Sequence, residues 1–478
     1  MRLQISDGDA RAIAAVNPPI VIGRAGKSTM SVGAIKPFGT GLAIGWHCAD
    51  GARPFPARLT MSDPRGAADE RRTTSPPTLV VLGASARAVA QSARRSGWSV
   101  HAADLFADLD LLEAADTVRR VGTVPNAAAG YPDGLAAAAA GFPPGPWCYT
   151  GAIENHPDLI DRIAAVRPLA GNAGPLVRRV REPFALGEAL RESGLRFPET
   201  HADPDALPAD GSFVVKPLST AGGRGIRRWT GRAPTGSSIT AGLDAGPANV
   251  IWQRWIEGDP FAAAYVLADG RSRLVGLTRQ FVGMPWCHAG PHAYCGSLLL
   301  PLATAPAGLL AQLERLGALL ASRFELVGVV GVDIVVDDDG RVVVIEVNPR
   351  PTASMELIER SGGPPIAAAH LAACGFPPPG NPPLPHAVSR RDHWSKSVLF
   401  ARHDIAITAA LVDRLRAAGA AWRCAGWPAL ADLPRPGQTI PAGGPVLTIF
   451  HQASDGDALP DVVPAGLVDR TRLIDAML

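Results

Sequence analysis

Neither sign of charge is in excess in this chain. Its 478 residues carry 46 Lys and Arg against 44 Asp and Glu, a formal net charge of +2. Such a balance projects no field of one sign toward nucleic acid or an anionic membrane. Basic residues come in short pairs, such as Arg94–Arg95 and Arg178–Arg179, and never in a long run. Only four tyrosines occur, without basic interleaving, which argues against an RNA reader. No apolar run is long enough to span a bilayer, the alanine stretch 136–140 included, and no signal-peptide pattern is found. CxxC is missing. The six cysteines (Cys48, Cys148, Cys287, Cys295, Cys374 and Cys424) are scattered. That excludes a disulfide scaffold and implies reduced thiols in a cytoplasmic protein. What remains is a globular balance, 47% hydrophobic and 19% charged, with length for roughly three domains.

Residues 1–60 hold glycines and prolines without a convincing period, and "MSDPRGAADERRTTSPP" (61–77) is polar and turn-rich. A poorly ordered extension or linker is expected over 1–76, with Met61 a candidate initiator. "TLVVLGAS", "ARAVAQSARRSGW" and "SVHAADLF" then read as strand, helix and strand, the opening of a parallel doubly wound domain over 77–175. Asp104 stands where a ribose-binding acid of a dinucleotide fold would. The glycine fingerprint is incomplete, because Gly83 is followed by Ala84, Ser85, Ala86 and Arg87, so no nicotinamide is expected.

Further on, "PLVRRV" and "PFALGEALRESG" have helical spacing, with Pro157 and Pro183 at tolerated first-turn positions. Strands are predicted at "SFVVKP" and "VIWQRWIEG". Two hairpins are predicted to turn at Asp269–Gly270 and Asp339–Gly340, with an amphipathic helix between them. Pro377–Pro385 reads as a connector, and "SVLFA" and "PVLTIF" as short strands of a last segment.

The second hairpin carries the chemistry. Asp333 and Glu346 lie thirteen residues apart about a turn at Asp339–Gly340, so strand pairing brings their carboxylates together. Alternation puts Asn348 on the face of Glu346. Two carboxylates and an amide oxygen form a hard, oxygen-only donor set suited to Mg²⁺ that also binds phosphate oxygens. An acidic turn accounts for Asp337, Asp338 and Asp339, but not for Asp333 and Glu346 among valines and isoleucines. Upstream, Lys216 closes a strand, and "STAGGRG" follows with Gly222, Gly223, Arg224 and Gly225. Glycines let backbone N–H groups approach phosphate, and a lysine adds a point charge. GxxxxGK[ST] is absent.

Taken together, "FVVKPLSTAGGRG", "WQRWIEG" and "VGVDIVV…VVVIEVNPR" resemble the ATP-grasp superfamily of carboxylate–amine ligases over about 79–390. The resemblance implies a doubly wound domain, a two-lobed ATP-grasp domain over 176–390 and a small β-rich C-terminal domain over 391–478. It implies ATP and Mg²⁺. Lys216 would hold the α/β-phosphates, and the hinge Gln253, Trp255, Ile256 and Glu257 would meet the nucleotide. Asp333, Glu346 and Asn348 would carry the metals, and Arg350 would face the transferred phosphoryl. There are departures. Pro260 stands where a ribose-binding glutamate is usual, with Glu257 as substitute. Gly331 stands where related ligases often have arginine, so catalytic charge falls to Arg350, Arg279 or Arg224. The upstream phosphate cation falls to Arg181 or Arg179.

The implied chemistry is activation of a small carboxylate as acyl-phosphate and its capture by an amine, in a cofactor or peptide-like metabolite pathway. Similarity to tyramine–glutamate ligases is noted, and "IPAGGPVLTIF" is similar to the tail of biotin carboxylase-like members. A bicarbonate-using carboxylase and a non-catalytic nucleotide-binding regulator are the alternatives. Small-molecule carboxylate and amine substrates are the expected partners, with no nucleic acid or membrane, in a homodimer. In "CHAGPHAYCGS", Cys287, His288, His292 and Cys295 could form a zinc site, but one short loop with no second ligand pair favours a cleft wall, with Tyr294 and Ser297 inward. Glu154 and Asn155 follow a predicted strand, where either a ligand or a helix cap explains them.

Overall fold

A computed structural model of the protein describes residues 76–122, 130–231, 250–379, 393–422, 426–453 and 463–478. The expected extension, apart from Pro76, lies outside the described residues, as does most of the proline-rich connector.

The first apolar strands build a parallel sheet in the order Thr117–Arg120, Ser99–Asp104, Thr78–Leu82, Trp147–Tyr149. Side chains alternate across a strand, and both faces are covered. Val80 and Leu82 pack with Leu135, Leu159 and Ile160, while Leu79 and Val81 pack with Val89, Ala90 and Leu371. This is the doubly wound arrangement predicted. Asp104, at the ribose-acid position, is fully buried. Its oxygens accept from the backbone N–H of Ala86 (3.1 Å), Phe106 (3.1 Å) and Ala107 (2.6 Å), so it ties two turns together. Pro157 and Pro183 open helices Pro157–Ala164 and Pro183–Glu192, as predicted.

A small antiparallel sheet follows, ordered Thr200–His201, Val250–Arg254, Phe213–Pro217, Arg227–Arg228. Trp229 and Trp252 meet edge to face in its core, 5.8 Å between centroids. The second lobe is an eight-stranded antiparallel sheet. Its order is Val342–Asn348, Gly328–Val336, Asp259–Ala268, Arg271–Val282, Tyr294–Leu300, His393–Phe400, Pro445–Ala453, Leu430–Ala431. Helix Ala307–Ser322 covers one face through Leu313, Leu316 and Leu320. The hairpin at Asp269–Gly270 is as predicted, with φ of +51° and +70° at the two turn residues, a pattern suited to the twist of paired strands.

The C-terminal strands are longer than "SVLFA" and "PVLTIF" suggest. They span eight and nine residues and extend the same sheet, because the edge of Tyr294–Leu300 pairs with His393–Phe400. The fold is therefore multidomain α/β, with a parallel sheet, a two-lobed core and a β-rich C-terminal region. Among the described residues no helix is long and apolar enough to cross a membrane.

His370 joins the parallel-sheet domain to the large lobe. Its Nδ1 accepts from Val329 N (2.9 Å), and its Nε2 faces the Ala170 carbonyl oxygen (3.0 Å). That requires the neutral tautomer with the proton on Nε2, and burial depresses its pKa from 6.5 to about 4. A folded pKa below the unfolded one contributes stability that is present above pH 6.5 and lost as pH falls toward 4. We expect a loss of about 2 kcal/mol from this residue between pH 7.5 and 5. Urea titrations at both pH values check this: the pH difference should shrink by that amount in His370→Gln.

Candidate active site

Strand alternation alone would place Val342, Val344, Glu346 and Asn348 of Val342–Asn348 on one face. The register shows otherwise. Asp333 pairs with Glu346, but Ile334 pairs with Val344, leaving Ile345 as an extra residue. This bulge reverses the phase of the strand. Val342 and Val344 go into the core with Val332 and Ile334, whereas Glu346 and Asn348 turn to the cleft beside Asp333. The bulge also presents the Ile345 carbonyl to Lys216 Nζ, at 3.3 Å.

The two carboxylates have opposite surroundings. Asp333 accepts from two amides, Gln280 Nε2 (2.7 Å) and Asn348 Nδ2 (3.0 Å). Burial, then the nearby Glu346 charge, pushes its pKa up to about 6. Glu346 is met by cations: Arg181 Nη1 at 2.7 Å and Lys216 Nζ at 3.5 Å. Burial would raise it, but Lys216 and Arg181 outweigh that and bring it to about 2. Its side chain is 29% exposed, so the pair opens to a ligand.

The parallel-sheet domain completes the site. Arg350 pairs with Glu154, and its Nη2 also reaches Asn348 Oδ1 at 3.3 Å. Arg181 Nη2 donates to Asn155 Oδ1 at 2.9 Å. Asn155 caps no helix, since His156 precedes the helix and no side-chain cap is made, so the cap explanation of "GAIENHP" does not hold. Asn172, fully buried, holds the domains in register. Its Nδ2 donates to the carbonyls of Val327 (2.9 Å) and Pro349 (3.0 Å), and its Oδ1 accepts from Val327 N (2.9 Å). Gln280, Asn172 and the Glu154–Arg350 pairing were not foreseen. Each partner lies far along the chain, and only the alternation of "LTRQF" hinted at Gln280.

Other predicted residues fall elsewhere. Arg279 shares the face of Leu277, which packs in the core beneath helix Ala307–Ser322, opposite to Gln280 and Asp333. It pairs with Asp259 at 2.6 Å, so the structure removes Arg279 from the cleft group. Arg179 pairs with Glu325 at 3.3 Å and likewise stays apart. Gln253 is buried, donating to Thr200 Oγ1 at 3.2 Å. Trp255 lies under Arg228 (3.9 Å) and against His292 (5.7 Å), Ile256 is half-buried, and Glu257 is exposed, 3.8 Å from Arg228. Arg224 is exposed. The four candidate zinc residues diverge. Cys287 and Cys295 are core residues, His288 pairs with Asp475 at 3.0 Å, and His292 meets Trp255 edge to face. Tyr294 and Ser297 hydrogen-bond each other at 2.9 Å.

Gly222, Gly223 and Gly225 all have φ between +66° and +77°. A Cβ at Gly223 would lie 1.8 Å from the His292 carbonyl oxygen, so the loop can rest on the large lobe only without a side chain. Gly223→Ala should displace it, at a cost of about 1–3 kcal/mol of backbone strain. We expect KM for ATP to rise roughly tenfold, with the melting temperature changed by no more than a few degrees. Steady-state kinetics and a thermal scan check both.

Among the described residues no group of three or more His, Cys, Asp or Glu side chains is placed to hold a metal ion by itself. The donors here are two carboxylates and an amide. That set fits an ion bound by one or two carboxylates plus phosphate oxygens, and the cations around it match a polyphosphate.

Residues 182–354 match the ATP-grasp domain model. The large chain of carbamoyl phosphate synthase from Brucella melitensis is 32% identical over 109 residues, 22% of this chain and 9% of that one. This chain thus spans about a tenth of that relative's length. L-amino acid ligase from Bacillus licheniformis superposes with a TM-score of 0.57 at 14% identity, covering 85% of this chain and 98% of that one. The biotin carboxylase domain of 2-oxoglutarate carboxylase from Hydrogenobacter thermophilus, solved with MgADP and bicarbonate, gives 0.57 at 13% identity over 78% of this chain and 86% of that one. Residues 182–354 thus match an ATP-grasp domain, and the fold around them is similar to those of a ligase and of a carboxylase domain.

Proposed function

We propose that this chain is an ADP-forming carboxylate–amine ligase. The observation that carries the reading is the bulge-set pair Asp333–Glu346, with Asn348 beside it and Lys216, Arg181 and Arg350 converging on it. Asp333, Glu346 and Asn348 would hold Mg²⁺, which when bound neutralises and orients the ATP phosphates. Lys216 and Arg181 would bind phosphate oxygens, and the loop of Gly222, Gly223, Arg224 and Gly225 would cover them. Gln253, Trp255, Ile256 and Glu257 would flank the base and ribose. A substrate carboxylate oxygen attacks the γ-phosphorus, and ADP leaves. An amine nitrogen then attacks the acyl carbon, and phosphate departs with the former carboxylate oxygen. Such chemistry asks mostly for positioning and charge, so no protein nucleophile or base is assigned. A cytoplasmic setting and the narrower kinship with tyramine–glutamate ligases belong to the same reading.

A second reading takes bicarbonate as the carboxylate. It is favoured by the likeness to a biotin carboxylase domain and to carbamoyl phosphate synthase. ADP release measured with Mg-ATP, a panel of acids and amines, and bicarbonate separates them. Dependence on an organic acid supports the ligase, and dependence on bicarbonate replaces it with the carboxylase. ATP binding without ADP under every condition would leave a nucleotide-binding regulator.

A further inference from the structure

The Glu154–Arg350 pair is only half used. Glu154 is 3% exposed, and Arg350 binds just one of its oxygens. Its Oε2 is buried without a hydrogen-bond partner. On the other side of the pair, Arg350 Nη1 donates to the Pro351 carbonyl and Nη2 to Asn348, while Nε is buried without a partner. The Tyr131 hydroxyl is a third buried polar atom without a partner. Leaving such atoms unsatisfied is costly, and three of them around one ion pair call for a partner that a bound ligand can supply. The surrounding rim, Gly151, Ala152, Asn155 and His156, is half-buried rather than sealed. It sits where the strand Trp147–Tyr149 ends, the end of a parallel sheet at which ligands bind.

The spare groups are complementary: an anionic acceptor on Glu154 and a cationic donor on Arg350, within a single ion pair. A lone carboxylate, or bicarbonate, would satisfy the donor and be repelled by the acceptor. A zwitterion answers both. Resting on the ligase reading above, we propose that the acyl donor is an α-amino acid. Its ammonium is received by Glu154 Oε2 with help from the Tyr131 hydroxyl, and its carboxylate is held by Arg350 beside the metal-binding pair. Glu154 and Tyr131 thereby act as specificity residues. The carboxylate oxygen bonds to the γ-phosphorus as the bond to ADP breaks. The amine of the second substrate then displaces that oxygen as inorganic phosphate and gives up one proton.

The test uses the full chain with Mg-ATP and the same panel of amines present throughout, and measures ADP release for each of the twenty common L-α-amino acids, for their 2-deamino counterparts and for bicarbonate. At least one amino acid should support release, and its deamino counterpart should be poorer by about 10²-fold or more in kcat/KM, as expected when buried polar groups lose their partner. Carboxylate-¹⁸O in that amino acid should appear in the released phosphate. Glu154→Gln should narrow the gap between amino acid and deamino acid, and Tyr131→Phe should raise KM for the amino acid alone. A deamino acid or bicarbonate working as well as any amino acid overturns this inference and leaves ATP-dependent carboxylate activation standing. Release with none of the acids overturns the ligase reading together with it.

Discussion

Glu346→Gln and Asp333→Asn are each expected to lower Mg²⁺-dependent ADP release by ~10³-fold or more, about 4 kcal/mol of transition-state stabilisation. The two substitutions are nearly isosteric, so the loss comes from charge. Glu346 is the anion that Arg181 and Lys216 both face, at 2.7 and 3.5 Å. As a neutral amide it would leave two cations uncompensated and offer a divalent ion one weaker oxygen. Asp333 already accepts two amide hydrogens, so an amide in its place would set N–H against N–H. Both variants should keep the wild-type circular dichroism spectrum, because the core side chains of the two strands are untouched. Raising Mg²⁺ should restore part of the loss in Asp333→Asn if the defect is in metal affinity. Near-normal activity of either variant would show that the pair does not handle the nucleotide phosphates.

Arg87→Met is expected to cost the fold about 3–5 kcal/mol, because removing one member of a buried charge cluster leaves the others uncompensated. Arg87 is 2% exposed and lies in the first helix of the parallel-sheet domain. Its guanidinium meets Glu356 at 2.5 and 3.1 Å and Asp432 at 2.9 and 3.1 Å. Asp110 stands 3.5 Å from its Nε and accepts from the backbone of Asp432 and Leu433. Burial alone would raise Glu356, but Arg87, Arg360 and Lys396 hold it well below the ordinary carboxylate range. One side chain thus binds the first domain to the helix Met355–Arg360 and to the C-terminal strands. Lysine cannot replace a fork that serves two carboxylates at once, so Arg87→Lys should recover little. Arg94→Ala, which removes an exposed pair with Asp116, should cost less than about 1 kcal/mol. Urea unfolding of the three variants gives the comparison. Arg87→Met within 1 kcal/mol of wild type would mean that the cluster does not fasten the domains.

Much of the fold was legible because it rests on local pattern. The apolar β-formers of "TLVVL", the turns at Asp269–Gly270 and Asp339–Gly340, and the prolines at helix starts each act within a few residues. The thirteen-residue spacing of Asp333 and Glu346 around a turn was likewise enough to predict that the carboxylates oppose each other, and they are paired in register. Less legible was the reach of the large sheet. Nothing local in "SVLFA" says that it will pair with Tyr294–Leu300, about a hundred residues earlier, since that pairing closes over a long intervening chain.

What the sequence determined by itself is the pair of opposed carboxylates, Asp333 and Glu346, and the strands that carry them. The tertiary structure decided which cations answer them. Arg181 comes to Glu346 from 165 residues away and Arg350 to Glu154 across 196, distances over which only domain packing chooses a partner. It also decided facing. A single extra residue at Ile345 turns Glu346 out of the core, while unbroken alternation puts Arg279 on the far side of the sheet from Asp333. With a side-chain period of two, one residue more or less exchanges inside for outside, and the letters alone do not say where that residue will be inserted.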